Sequence, residues 1–357
     1  MRAKIIVSSF CILLLSVTLF SLKVNASSPL QLSLAIDQSV YRLLRTTPST
    51  VNIAGNLTLD GVPVSDGLIA VTVFQGTINK YIRPILFRTL NTGSIPPQNW
   101  SLSIVSIETV KLNASGYVPQ SVFKRPTTQQ EPGPIINVTY TNVDYKSVAY
   151  LAITVVDADK VAIATRIMTL QPVSANSTFS VLTDEIFLSD WVALGTATVY
   201  ACAFNNITPY LYFPYCPEAS TQFEIVSSGG GALSSQENIN ILNEQTISSI
   251  NGNYNLTFRI NVYRDWPLYS PWGNYTVKVS SDYQGQQAIN SYTFWMRIPG
   301  DANGNGIVNI GDAAFVGSFW RQTVPPADPG ADYNGDGVIS IPDVAIIGAY
   351  WGRREQF

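Results

Sequence analysis

Histidine is absent from all 357 residues, which excludes His-based acid–base catalysis and any His-containing zinc site. Charge is also scarce. Only 13% of residues are charged and the net charge is −3, so the chain has no basic surplus with which to attract nucleic acid or anionic lipid. Three cysteines are present, and one of them, Cys11, lies in the N-terminal apolar stretch. No nucleophile elbow, phosphate-binding glycine loop or paired-cysteine metal motif occurs. Val, Ile, Thr, Tyr, Ser, Gly and Pro are plentiful instead, a composition suited to strands and turns.

The chain opens with MRAKIIVSSFCILLLSVTLFSLKVNASS. Arg2 and Lys4 precede an apolar stretch from Ile5 to Leu22, and Val24-Asn25-Ala26 offers small residues for cleavage. This pattern predicts a signal peptide over 1–26 and a secreted or cell-surface protein. An uncleaved membrane anchor is the competing reading, because the apolar run is long. Removal of the signal leaves Cys202 and Cys216, an even pair in an exported chain. They are expected to form a disulfide closing a short loop, with two free thiols as the alternative. Glycosylation sequons occur at Asn56, Asn99, Asn113, Asn137, Asn176, Asn206, Asn255 and Asn274, all before residue 300.

Between 27 and 298 the pattern is β. Leu68–Phe74, Ala149–Asp157, Thr196–Phe204, Asn255–Tyr263, Tyr275–Ser281 and Tyr292–Ile298 are short runs separated by turn signals such as Asp60-Gly61. In the fourth run Leu256, Phe258, Ile260 and Val262 share one face and Thr257, Arg259 and Asn261 the other. Regular short strands of this kind point to immunoglobulin-like β-sandwiches. Residues 89–100 are a turn-rich break, and Ser227–Glu237 reads as a flexible linker. The 96–235 piece has the size of one complete sandwich, whereas 27–95 and 236–298 are each small. The expected organisation is therefore a discontinuous sandwich, 27–95 plus 236–298, interrupted by an inserted one. Three sequential units are the alternative, and contacts between strands 68–74 and 275–281 would favour insertion. The polar stretch Gln236–Ser249 is the one candidate helix in this region.

The C-terminus carries an internal repeat. DANGNGIVNIGDAAFVGSFWR (301–321) and DYNGDGVISIPDVAIIGAYWG (332–352) align without gaps, with nine of twenty-one positions identical. Calcium takes six to eight hard oxygen ligands, and a twelve-residue loop supplies them from positions 1, 3, 5, 7, 9 and 12. In the first loop these are Asp301, Asn303, Asn305, the Ile307 carbonyl, Asn309 and Asp312. In the second they are Asp332, Asn334, Asp336, the Val338 carbonyl, Ser340 and Asp343. Gly306 and Gly337 fill position 6, where the chain turns sharply. Phe315, Val316 and Phe319 after the first loop, and Ile346, Ile347 and Tyr350 after the second, each share one helical face. Two calcium ions are thus expected. The second loop, with three carboxylates against two, is expected to bind more tightly.

Position 12 is Asp rather than Glu, and neither loop is preceded by a helix: VPPADPGA contains three prolines. Two such loops, each followed by one helix, resemble the type I dockerin domain over about 299–357. The resemblance implies a module that folds on calcium and plugs into a cohesin-like or other surface protein. Cellulosomal dockerins carry small hydroxyl residues at loop positions 10 and 11, where this chain has Ile310-Gly311 and Ile341-Pro342. SVYRLLRTTPSTVNIAGNLTLDGVPVSDGLIAVTVF and YNLTFRINVYRDWPLYSPWGNYTVKVSSDYQGQQAINSYTF resemble the opening and closing parts of macroglobulin-like immunoglobulin modules of prokaryotic surface proteins. The piece between them resembles adhesion-related sandwich domains.

Two aromatic, proline-containing loops, Asp265–Tyr275 and Pro209–Glu218, hold Trp266, Trp272, Tyr210 and Tyr212. Their rings either stack on sugars or pack beneath their own loops. The close carboxylate pairs Asp157/Asp159 and Asp184/Glu185 read as turn residues, since glycosidase acids face each other across a cleft. The sequence therefore points to a non-catalytic attachment protein of the surface or extracellular space. A carbohydrate-binding accessory subunit of a polysaccharide-degrading assembly is the alternative. No nucleic acid is expected as a partner.

Overall fold

The computed structural model describes residues 29–355, except 43–48, 78–79, 94–101, 143–148, 171–174, 209–210, 229–251, 261–270 and 335. The predicted signal peptide, the helix expected over Gln236–Ser249, Tyr210 and Trp266 lie outside the described residues. Among those residues the protein is mainly β, with two short α-helices near the C-terminus. Among the described residues no helix is long and apolar enough to cross a membrane.

The strands form four sheets. The first contains β1 (Leu30–Leu32), β2 (Ala35–Ile36), β4 (Ser49–Leu59), β5 (Val62–Pro63) and β18 (Asn253–Ile260). The second runs in the order β3 (Val40–Arg42), β20 (Gln286–Arg297), β19 (Gly273–Tyr283), β6 (Leu68–Thr77), β7 (Lys80–Asn91). Their inner faces share one core: Val51, Ile53 and Leu57 of β4 and Leu256, Phe258 and Ile260 of β18 join Ile69, Val71 and Val73 of β6 and Val277 and Val279 of β19. β18 keeps the alternation read from its sequence, burying Tyr254, Leu256, Phe258 and Ile260 and exposing Asn253, Asn255 and Thr257.

The third sheet has the order β14 (Ser177–Leu182), β11 (Ile135–Asn142), β8 (Leu102–Asn113), β9 (Gly116–Pro119). The fourth has β10 (Val122–Arg125), β17 (Ala219–Ser227), β15 (Gly195–Thr208), β12 (Ala149–Val156), β13 (Ala162–Leu170), with β16 (Leu211–Pro214) beside β15. A separate core, including Ile136, Val138, Leu151, Ile153, Val199 and Phe223, lies between these two sheets.

β6 and β19 pair antiparallel from Tyr275↔Gln75 to Ser280↔Ala70. β4 likewise pairs with β18, from Asn253↔Asn56 to Ile260↔Ser49. β6 explains why LIAVTVF has so little polar alternation: it is buried on both faces. Ile69, Val71 and Val73 enter their own core, while Ala70 and Phe74 join Phe87, Ala152, Cys202, Phe204 and Tyr212 in an apolar layer between the two pairs of sheets.

Polar contacts fasten the same layer. Thr154 Oγ1 accepts from Phe87 N at 3.0 Å and donates to Phe87 O at 3.2 Å. Thr165 Oγ1 donates to Ile85 O at 2.7 Å, and Ser280 Oγ donates to Tyr212 O. Arg88 of β7 pairs with Glu218 just before β17, with side chains only 6% and 3% exposed.

The expected Cys202–Cys216 disulfide is not formed; both thiols are free and buried. Cys202 faces the layer between the sheet pairs, with Sγ 3.6 Å from Glu218 Oε2. Cys216 faces the core between the third and fourth sheets. The sheet itself thus separates the two side chains. Burial pushes both thiols up, Cys216 to about 12.

Candidate metal centres

The C-terminal module is built from two copies of one unit. Its helices are α1 (Ile310–Ser318) and α2 (Ile341–Ala349). Each starts at position 9 of its loop, where Asn309 and Ser340 are the N-caps. Position 12 closes a reciprocal capping box in each: Asp312 Oδ2 accepts from Asn309 N at 2.8 Å and Asp343 Oδ2 from Ser340 N at 2.8 Å. A position-12 Asp therefore does two jobs, starting the helix and turning its other oxygen into the loop. Pro342 falls in the first turn of α2, where no backbone donor is needed.

The loop oxygens are organised by backbone N–H groups. In the first loop Asp301 accepts from Asn305 N and Gly306 N at 3.0 Å each, and Asn305 Oδ1 accepts from Ile307 N at 2.9 Å. Asp312 Oδ1 accepts from Asn303 N at 3.2 Å. The second loop repeats this frame: Asp332 Oδ2 accepts from Gly337 N at 3.0 Å, Asp336 Oδ1 from Val338 N at 2.8 Å and Asp343 Oδ1 from Asn334 N at 3.2 Å. Gly306 and Gly337 have φ of 78° and 83°, a backbone that other residues adopt only with strain.

The residues present fit a hard divalent cation. Asp312 and Asp343 are 0% exposed, and neither makes an ion pair among the described residues. An ionised carboxylate buried without a cation is costly, and an oxygen-bound metal offsets that cost. Asp301 is pushed above the usual carboxylate range by burial, with the Asp312 charge adding to the effect. Among the described residues no three His, Cys, Asp or Glu side chains converge on one point. The donors are instead largely amide, hydroxyl and backbone oxygens, which suit calcium rather than a softer metal.

The module is not a free appendage. Ala302, Val308, Val316, Ile339 and Ile347 belong to the same apolar cluster as Phe294, Met296 and Ile298 at the end of β20. The Trp272 ring meets Tyr350 edge-on, with centroids 6.1 Å apart. Arg297 lies over Gly304, so close that a Cβ there would sit 2.4 Å from its Nη1.

This packing corrects two sugar-stacking candidates. Trp272 is 3% exposed and Tyr212 is 7% exposed. Trp272 sits under the C-terminal module, and Tyr212 is packed among Phe74, Phe87, Tyr150 and Phe204. Neither presents a face to a ligand. The carboxylate pairs behave as structural groups. Asp157 accepts from Asp159 N, Val161 N and Ala193 N, Asp184 pairs with Arg166, and Glu185 accepts from Gly133 N.

Residues 299–351 match the family model for the dockerin type I domain. This segment is a type I dockerin domain. Dockerins of this type bind calcium, dock onto cohesin partners and are themselves non-catalytic, and proteins that carry them are typically extracellular or on the cell surface. No curated protein matches the chain. Among solved structures the chain is similar to dimeric latent PorU from Porphyromonas gingivalis, at 11% identity over 76% of this chain and 34% of that one, TM-score 0.20. It is also similar to the native E. coli alpha-2-macroglobulin, at 10% identity over 77% and 24% of the chains, TM-score 0.17. Salmonella alpha-2-macroglobulin reacted with methylamine gives 10% identity over 75% and 23%, TM-score 0.18. The chain thus spans well under half the length of each. Sequence reasoning missed the residues that seat the dockerin, Trp272 against Tyr350 and Arg297 over Gly304. Their partners lie in other elements, so no local spacing announces them.

Proposed function

We propose that this chain is a non-catalytic attachment protein of the surface or extracellular space. One immunoglobulin-like sandwich is interrupted by another, and the dockerin binds two calcium ions and joins the pair to a further protein. Asp301, Asn303, Asn305, the Ile307 carbonyl, Asn309 and Asp312 hold the first ion. Asp332, Asn334, Asp336, the Val338 carbonyl, Ser340 and Asp343 hold the second. The ions supply the positive charge that the buried carboxylates lack.

The carrying observation is that the dockerin is seated on its own sandwich by one side yet keeps an apolar pair in solvent. Ile310 and Ile341, at equivalent positions of the two repeats, are 71% and 72% exposed. Trp320 and Trp351, also equivalent, are exposed as well. Large aliphatic side chains held in water at helix starts suit burial against a partner. A cohesin-like partner with an apolar rather than hydroxyl-bonding surface fits them.

The test is a pull-down from the extracellular fraction with the mature chain, run with calcium and with chelator. Capture should require calcium and should fail for Ile310→Asp combined with Ile341→Asp, while calcium binding by that variant stays unchanged. Equal capture by the variant would sink the docking reading. Calorimetry showing no calcium uptake would sink the metal reading.

A further inference from the structure

The two calcium loops share a hydrogen-bond frame but not their surroundings. The chain leaving each helix runs along the loop of the other repeat. Residues 321–324 line the second loop, with Arg321 N donating to Ile339 O at 2.9 Å, Ile339 N to Gln322 O at 3.0 Å and Val324 N to Gly337 O at 2.9 Å. Residues 352–355 line the first loop in the same way, with Gly352 N donating to Val308 O at 2.9 Å, Val308 N to Arg353 O at 3.0 Å and Glu355 N to Gly306 O at 2.9 Å. Glu355 and Val324 therefore occupy equivalent places, each bonded to the carbonyl of the position-6 glycine. Beside the second loop that place is apolar. Beside the first it is a carboxylate.

The exchange is matched inside the loops. Position 5 is Asp336 in the second loop and Asn305 in the first, so the first loop has one carboxylate fewer among its own twelve residues. Glu355 is half-buried against it. Its Oε2 lies 3.5 Å from where a Cβ on Gly306 would be, and its Oε1 is buried with no hydrogen-bond partner among the described residues. Asp301 and Arg297 both act on its charge.

We infer that Glu355 is the outlying third carboxylate of the first calcium site, lending it the negative charge that Asp336 lends the second. This rests on the two-calcium reading above. Glu355 is a positioning residue acting through its field and through the strap of chain that carries it; the six loop ligands stay as assigned. Arg297, whose guanidinium lies over Gly304 of the same loop, brings an opposing positive charge, so Glu355 narrows the advantage that the second site's extra loop carboxylate implies without removing it.

The experiment is calcium titration calorimetry on the mature chain at alkaline pH, comparing wild type, Glu355→Gln and Glu355→Asp, with Asp336→Asn to mark the second site. Glu355→Gln keeps the shape and the backbone strap. Removing one charge near a divalent ion at high effective dielectric is expected to weaken one site about tenfold. The site that Asp336→Asn weakens should stay unchanged. The Glu355→Gln difference should shrink at high salt, as a field effect does, and Glu355→Asp should restore most of it. Two unchanged affinities in Glu355→Gln would overturn the inference, and so would equal weakening of both sites, which marks a purely structural role. A wild-type chain that takes up no calcium overturns the underlying reading instead.

Discussion

The Arg88–Glu218 pair offers the sharpest test of how the two sandwiches are joined. Glu218 accepts from Arg88 Nε at 2.9 and 3.2 Å, from Arg88 Nη2 at 2.5 Å and from Thr89 N at 2.9 Å. The guanidinium also lies over the Tyr200 ring, 3.4 Å from its centroid. Arg88→Met keeps an apolar stem in place but leaves a buried carboxylate with one backbone donor. Breaking a buried pair from one side costs about 3–5 kcal/mol, because the surviving charge is uncompensated. Glu218→Leu should cost a similar amount by stranding the guanidinium. The double variant removes both charges, so it should fall within about 1–2 kcal/mol of wild type. Urea denaturation of the four proteins closes the cycle. A coupling of at least about 3 kcal/mol is expected. If the double variant loses the sum of the single losses, the pair is not a coupled clamp and the layer is held by its apolar packing and its other hydrogen bonds.

Asp343→Ala removes the acceptor shared by Tyr333 N, Asn334 N and Ser340 N. It should cost the dockerin about 3 kcal/mol and abolish the calcium-dependent rise in its melting temperature, measured by scanning calorimetry with and without chelator. Cys202 and Cys216 should both resist alkylation in the native chain and both react in guanidinium without reductant, as read by mass spectrometry. One disulfide-linked peptide would refute this.

The dockerin was legible in the sequence because calcium ligation and helix capping are both local. One twelve-residue spacing names the oxygens, the glycine turn and the helix start together. The strands were legible for a similar reason, and β18 shows the alternation plainly. What escaped was where individual side chains meet a distant partner. LIAVTVF announces a buried strand but not that Phe74 meets Tyr212 of another sandwich. The Cys202–Cys216 spacing permits a bridge, yet Cys202 of β15 faces the layer between the sheet pairs while Cys216, in the turn before β17, enters the other core. Aromatic rings near Trp272 and Tyr212 looked available to sugars because a loop-like sequence does not reveal what will be laid over it. Glu355 reads as an ordinary tail residue until the tail is seen lying along the first loop.

The pairing of β6 with β19 also sets an order of events. Thr276 Oγ1 donates to Gly76 O across 200 residues of chain, so the first sandwich cannot close while the ribosome or the export channel has delivered only its first half. The 102–227 segment carries its whole core and can fold first. Until 253–297 emerges, the apolar strand Leu68–Thr77 waits without its neighbour, the kind of uncovered β edge that recruits other chains. The growing protein is therefore open to aggregation from the emergence of that strand until its partner follows, and a holding chaperone would be needed throughout that interval.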